Sequence, residues 1–278
     1  MNNVVLNSLF SKNTFNSIVL KNKDSVFLKE LYSNFSDIEN NYNLIFKLYK
    51  YMSKEYRNEY FYKNTLLNKL LLGRHSLRTT TAISEMPIGN SKADFVMING
   101  KAVVYEIKTE LDNLDKLSTQ INDYYKVFKF VCVVTSESNY YKILKKFRNS
   151  TVGIYVLTAK NTISYRKKPL ECDIYLDKKE IFKTLRKVEY ENIIKNFYNF
   201  LPETTPVRYY DACYELFESI DIKLLYNDVL AQYKKRVNII EQEFLKEVPY
   251  ELKSVVYFSN YKVSDYQKLN NFLKKKEG

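Results

Sequence analysis

Residues 91–128 read SKADFVMINGKAVVYEIKTELDNLDKLSTQINDYYKVF, and the changes of periodicity within them decide the fold. Two apolar runs, KADFVMI and AVVYEIK, flank the pair Asn99-Gly100, which predicts a β-hairpin. Phe95, Met97, Val103, Tyr105 and Ile107 share one parity of the pleat and give the hairpin a strongly apolar face. The segment NLDKLSTQINDYYKVF then switches to helical spacing through Leu114, Leu117, Ile121 and Tyr124. Directly after it, FKFVCVVT is apolar without polar alternation, the pattern of a strand buried on both faces.

Outward from this stretch, TTAISEM and the turn PIGN add a strand before the hairpin and make a three-stranded antiparallel meander. The segment from Glu55 to Gly73 predicts one long helix with Gly73 as its C′ stop. Beyond the buried strand, the basic helix NYYKILKKFRN and the strand VGIYVLT follow. Residues 1–56 predict two or three helices. The C-terminal part is dominated by the long candidates KEIFKTLRKVEYENIIKNFYNFL and IKLLYNDVLAQYKKRVNIIEQEFLKEV, separated by Pro202 and Pro206. The expected class is α/β (α+β), with residues 57–170 as a core between helical regions 1–56 and 171–278.

Composition narrows the function classes. There is no apolar run long enough for a membrane span and no signal-peptide pattern at the N-terminus, so a cytoplasmic protein is expected. Cys132, Cys172 and Cys213 are odd in number and widely spaced, which predicts buried free thiols. His75 is the only histidine, which excludes a multi-histidine metal centre and points to a helix-terminal role. The net charge of +12 is uneven: residues 1–170 hold 26 Lys+Arg against 14 Asp+Glu, whereas residues 171–278 hold 18 of each. A polyanionic partner would therefore meet the first part of the chain. The neutral second part suits contact with a protein partner or a second copy in a homodimer.

The chemistry-bearing pattern is Asp94, then Glu106-Ile107-Lys108 at the end of the hairpin. Two carboxylates at a strand end can hold Mg²⁺, or Mn²⁺ in its place, through hard oxygen ligands. Lys108 projects from the same strand face as Glu106 and can position or help deprotonate a water. The triplet alone means little, because Asp177-Lys179, Asp221-Lys223 and Glu251-Lys253 repeat its letters. Register is the sharper criterion. A two-residue type I′ turn at Asn99-Gly100 would put Asp94 opposite Tyr105 and on the wrong face, so a three-residue or bulged connection is required. Glu110 and Asp112 read as solvated or helix-capping, although they could also widen the acidic site. Lys142, Lys145, Lys146 and Arg148 have helical spacing that could track a phosphate backbone, or simply form a solvated face.

The order helix, meander with Asp then Glu-x-Lys, helix, strand resembles the restriction-endonuclease-like core of the PD-(D/E)XK nuclease superfamily over roughly residues 57–158. Gln120-x-x-x-Tyr124 resembles the Gln-x-x-x-Tyr element of its RecB-type and λ-exonuclease-like branches. Residues 91–128 are also similar to a group of small bacterial nuclease-like proteins. Ala93 stands where the name-giving proline would be. The resemblance implies a Mg²⁺-dependent nuclease acting on DNA or on RNA, with Asp94, Glu106, Lys108 and Gln120 in the catalytic site. Gln120 and Tyr124 share a helix face from which they could contact nucleic acid. The family often adds an acid from the first helix. Glu59 fits that role, lying about 20° from Leu66 around the helix and so within the buried stripe, although a first-turn glutamate favoured by the helix dipole explains it as well; Glu85 on the first strand is its rival. A catalytically silent binding module on the same fold is the alternative, and phage or phage-defence contexts are common for such proteins.

Overall fold

The computed structural model describes residues 2–21, 23, 26–35, 37–73, 77–237 and 243–276. His75 lies outside the described residues. One six-stranded sheet in the order β1-β2-β3-β4-β5-β6 organises the chain. It comprises β1 (Thr81–Ile88), β2 (Ser91–Asn99), β3 (Lys101–Lys108), β4 (Phe130–Thr135), β5 (Gly153–Leu157) and β6 (Ile163–Lys167). β1, β2 and β3 form the expected antiparallel meander; β3, β4 and β5 are parallel; β6 returns antiparallel on β5. The parallel pairs need crossovers, which α6 (Leu117–Tyr125) and α7 (Glu137–Phe147) supply. β6 was not expected from sequence, because ISYRK is half-exposed and mostly polar.

Two hydrophobic cores lie on opposite faces of the sheet. Phe95, Met97, Val103, Tyr105 and Ile107 all enter the first, as their shared parity predicts, together with Cys132 and Val134 of β4. Val96, Ile98, Ala102, Val104, Val131 and Val133 enter the second. β4 is therefore buried on both faces, as its unbroken apolar run required. The three cysteines are buried and free.

Helices α1 (Asn3–Leu9), α2 (Lys12–Lys21), α3 (Val26–Ser33), α4 (Asn41–Glu55) and α5 (Glu59–Leu66) build the first core. The single helix expected from Glu55 to Gly73 is corrected. α4 ends at Glu55, and Asn58 starts α5 by accepting the Phe61 N–H at 3.0 Å. α5 then runs into a π-helical turn, Leu67–Leu72. The Asn68 side-chain amide donates to the Asn64 carbonyl at 2.9 Å, and the Thr65 hydroxyl donates to the Phe61 carbonyl at 2.8 Å. Both compete for carbonyls that a regular α-helix reserves for its own N–H groups. Gly73 has φ −88°, so it does not make the left-handed stop expected of it.

The C-terminal region does not form a body of its own. α8 (Lys178–Thr184), α9 (Lys187–Tyr198), α10 (Tyr209–Ser219) and α11 (Ile222–Lys234) cover the second face with α6 and α7. α12 (Lys253–Ser259) and α13 (Val263–Lys274) come back to the first core and pack on α2, α4 and α5. The first long C-terminal helix expected from sequence is cut between α8 and α9. There the Glu189 carboxylate accepts the Arg186 N–H at 2.8 Å and caps a new start.

Candidate metal and hydrolysis site

Register builds the site. Phe95 pairs with Tyr105, Ile98 with Ala102 and Asn99 with Lys101, around Gly100 at φ +67°. Glycine carries that conformation without a Cβ penalty. This is the three-residue connection that the site required, and extending it one step sets Asp94 opposite Glu106. The β1–β2 ladder pairs Ser84 with Phe95 and Met86 with Ala93, skipping Glu85 and Asp94 between them. Glu85 sits at φ +57°, a strained conformation for a residue with a side chain. The break frees Asp94 from the ladder, and its carboxylate accepts the Ile107 N–H at 2.8 Å.

Glu59 opens the first turn of α5 and brings a second carboxylate to this spot. One oxygen each from Glu59, Glu85 and Asp94 lies within 4.8 Å of the others. Glu59 and Glu85, rivals in sequence, are both present. Lys63, one helical turn beyond Glu59, bridges them, at 2.9 Å from Glu59 and 2.5 Å from Glu85. Lys92 reaches Glu85 at 2.5 Å as well. Burial lowers the affinity of Lys63 for its proton, but Glu59 and Glu85 outweigh it and hold the ammonium above its ordinary range.

Glu106 is expected beside Asp94 as a ligand, and the structure gives it different partners. Only 1% exposed, it receives the Lys108 ammonium at 2.7 Å on one oxygen and the Tyr124 hydroxyl at 2.6 Å on the other. Tyr124 also lies 2.9 Å from the Lys92 carbonyl. One phenolic proton can serve only one of these acceptors at a time. Tyr124 is fully buried, so the expectation that it contacts nucleic acid is corrected: its hydroxyl orients Glu106 instead. Gln120, one turn earlier on α6, leaves a buried Oε1 without a hydrogen-bond partner. Such an orphan costs free energy unless something else satisfies it.

The carboxyls are mutually strained. Burial, then the neighbouring Glu106 and Glu59, push Asp94 well above the usual carboxylate range. Burial also raises Glu106, and Lys108 and Tyr124 pull it back only in part. Glu85 goes the other way, because Lys63 and Lys92 outweigh its burial. The donor set fits a hard divalent cation. All its atoms are carboxylate oxygens, the ligand type such a cation prefers, and they lie within 4.8 Å of one another.

The remaining candidates sit elsewhere or play other parts. Asp112 accepts both the N–H and the hydroxyl of Thr109 at 2.7 Å and so ties the turn after β3. Glu110 accepts the Tyr62 hydroxyl at 3.0 Å and faces Arg57 at 3.8 Å. Lys142, Lys145, Lys146 and Arg148 are exposed on or just beyond α7, which packs on the opposite sheet face from α5. They form a solvated face away from the carboxylates.

Residues 52–259, more than half of the chain, match the sequence model of the family described as bacteriophage P4 protein cII. The chain belongs to the bacteriophage P4 protein cII family. No curated protein and no solved structure matches it. The stretch shared with the P4 cII model contains every residue of the site, from Glu59 to Tyr124, but excludes α1, α2 and α3.

Of those excluded helices, α1 and the start of α2 supply part of a cleft that sequence reasoning missed. About 530 Å³ in volume, it is bounded by Asn7, Phe10 and Lys12, by Glu59 and Lys63, and by Phe258. No local motif joins residues so distant in the chain. Lys63 was within reach, since Glu59-x-x-x-Lys63 has the spacing of a helical ion pair. Among the described residues no helix is long and apolar enough to cross a membrane.

Proposed function

We propose that the chain is a metal-dependent nuclease of the PD-(D/E)XK type, hydrolysing phosphodiester bonds, with DNA as the first substrate to test. The observation that carries this reading is the convergence of Glu59, Glu85 and Asp94 beside the Glu106–Lys108 pair, at the point where β2 parts from β3 and skips one pairing with β1. The element order of α5, meander, α6 and β4 is also the order expected of a restriction-endonuclease-like core.

Glu59, Glu85 and Asp94 would hold the cation, Mg²⁺ or Mn²⁺. When bound, it supplies charge neutralisation and polarisation at a phosphate oxygen. Lys108, 11% exposed at its side chain and anchored on Glu106, is placed to hold a water by hydrogen bonding. Glu106 keeps that ammonium in place, and Tyr124 fixes the rotamer of Glu106. The unpaired Gln120 oxygen can accept a hydrogen bond from a water or a sugar hydroxyl.

A second reading has its own observation. Lys63 and Lys92 already neutralise Glu59 and Glu85, so the cluster could be a closed ion-pair network in a module that only binds nucleic acid. Purified protein should be incubated with supercoiled, linear and single-stranded DNA and with RNA, in Mg²⁺, Mn²⁺ or EDTA, beside Asp94→Ala and Lys108→Ala. Cleavage that needs the metal and both side chains is the expected result. Binding without cleavage under every metal condition would favour the second reading.

A further inference from the structure

We infer that the cleft beside the carboxylates takes a single unpaired nucleotide, so that the substrate is a single strand or a frayed end and not an intact duplex; this rests on the nuclease reading above. Glu59, Lys63 and Glu85 belong both to the carboxylate cluster and to the cleft wall, so whatever fills the cleft adjoins the reacting phosphate. Its volume, about 530 Å³, is that of a small-molecule site and not of a groove that could seat a double helix. A base in a duplex must leave the stack to enter a pocket of this kind, and one already unpaired enters at least cost.

The chemistry of the walls suits one nucleotide. Tyr56 and Phe258 are only half-buried and offer ring surface against which any base can stack. The exposed Lys12 stands at the start of α2 and can meet a backbone phosphate. The rim is rigid on the side of the β3–α6 loop, where Thr109 is tied to Asp112 and Glu110 to Tyr62. Leu111 projects from that loop, 63% exposed. The surface that could follow a duplex backbone, Lys142 to Arg148, lies across the sheet and cannot assist a duplex presented to this cleft.

The test uses full-length Asp94→Ala protein, which should bind without turnover. Fluorescence anisotropy compares a labelled single-stranded oligonucleotide with the blunt duplex of the same sequence. Single strands should bind roughly tenfold more tightly or better, the order expected from one stacked base. Adding Lys12→Glu, an exposed change that should leave the melting temperature unaltered, should weaken single-strand binding about fivefold or more. Equal or tighter duplex binding, or indifference to Lys12→Glu, overturns the inference and leaves the nuclease reading standing. No binding to any nucleic acid overturns both.

Discussion

Lys63→Met separates a cation-binding cluster from a closed ion-pair network. The Lys63 ammonium lies 2.9 Å from Glu59 and 2.5 Å from Glu85, where the proposed cation would compete with it. Two unit charges at such separations attract by ~1.5–6 kcal/mol between a water-like and a protein-surface dielectric. The carboxylate side chains are 55% and 42% exposed, so screening and side-chain entropy reduce the net contribution to ~1–2 kcal/mol. Methionine keeps the stem and removes the charge. In EDTA the variant should therefore melt about 2–6 °C lower, by the usual conversion for chains approaching this length. The same deletion removes the competitor for the carboxylates. Mn²⁺ affinity, read by calorimetry, should rise about tenfold, the equivalent of 1.4 kcal/mol. Saturating metal should then bring the melting temperature back to or above that of the unaltered protein. Unchanged or weaker Mn²⁺ binding by Lys63→Met, with a deficit in melting that metal does not repair, would refute the reasoning.

Other changes probe single links. Tyr124→Phe leaves a Glu106 oxygen buried without its 2.6 Å donor and should cost ~1–3 kcal/mol in urea unfolding. Asp94 and Glu106 are raised above their unfolded values, so their contribution is full below about pH 4 and is lost as pH rises through the folded values. Melting temperatures in EDTA should accordingly fall from pH 4.5 upward; Asp94→Asn should flatten that fall, and Mg²⁺ should offset it. Gly153→Ala would drive a Cβ to 2.8 Å from the Pro169 ring and 2.9 Å from the Cys132 sulfur, and should destabilise by ~1–3 kcal/mol, measured by thermal melting.

The hairpin, the helix after it and the doubly buried β4 were legible because period 2, period 3.6 and unbroken apolarity each leave a local signature. The even register was legible too, since only that register puts Asp94 and Glu106 on one face. What stayed hidden depends on side chains competing with the backbone or on distant packing. Asn58 restarts a helix that periodicity alone runs straight through, and Glu189 does the same between α8 and α9. The identity of the third carboxylate depended on a strained residue: nothing in the letters around Glu85 reveals its positive φ, which turns it towards Glu59. The commitment of Glu106 to Tyr124 was invisible for a related reason, because it arises only once α6 is laid across the end of β3. The cleft joins residues near 10, 60 and 255, which no reading of local spacing could bring together.

Anomalous diffraction from Mn²⁺-soaked crystals tests the central claim most directly. The account expects one peak among the carboxylates of Glu59, Glu85 and Asp94, with Lys63 withdrawn from them, and loss of that peak in Asp94→Ala. Crystals saturated with Mn²⁺ that show Lys63 still bridging Glu59 and Glu85, with no peak at Asp94, would contradict it.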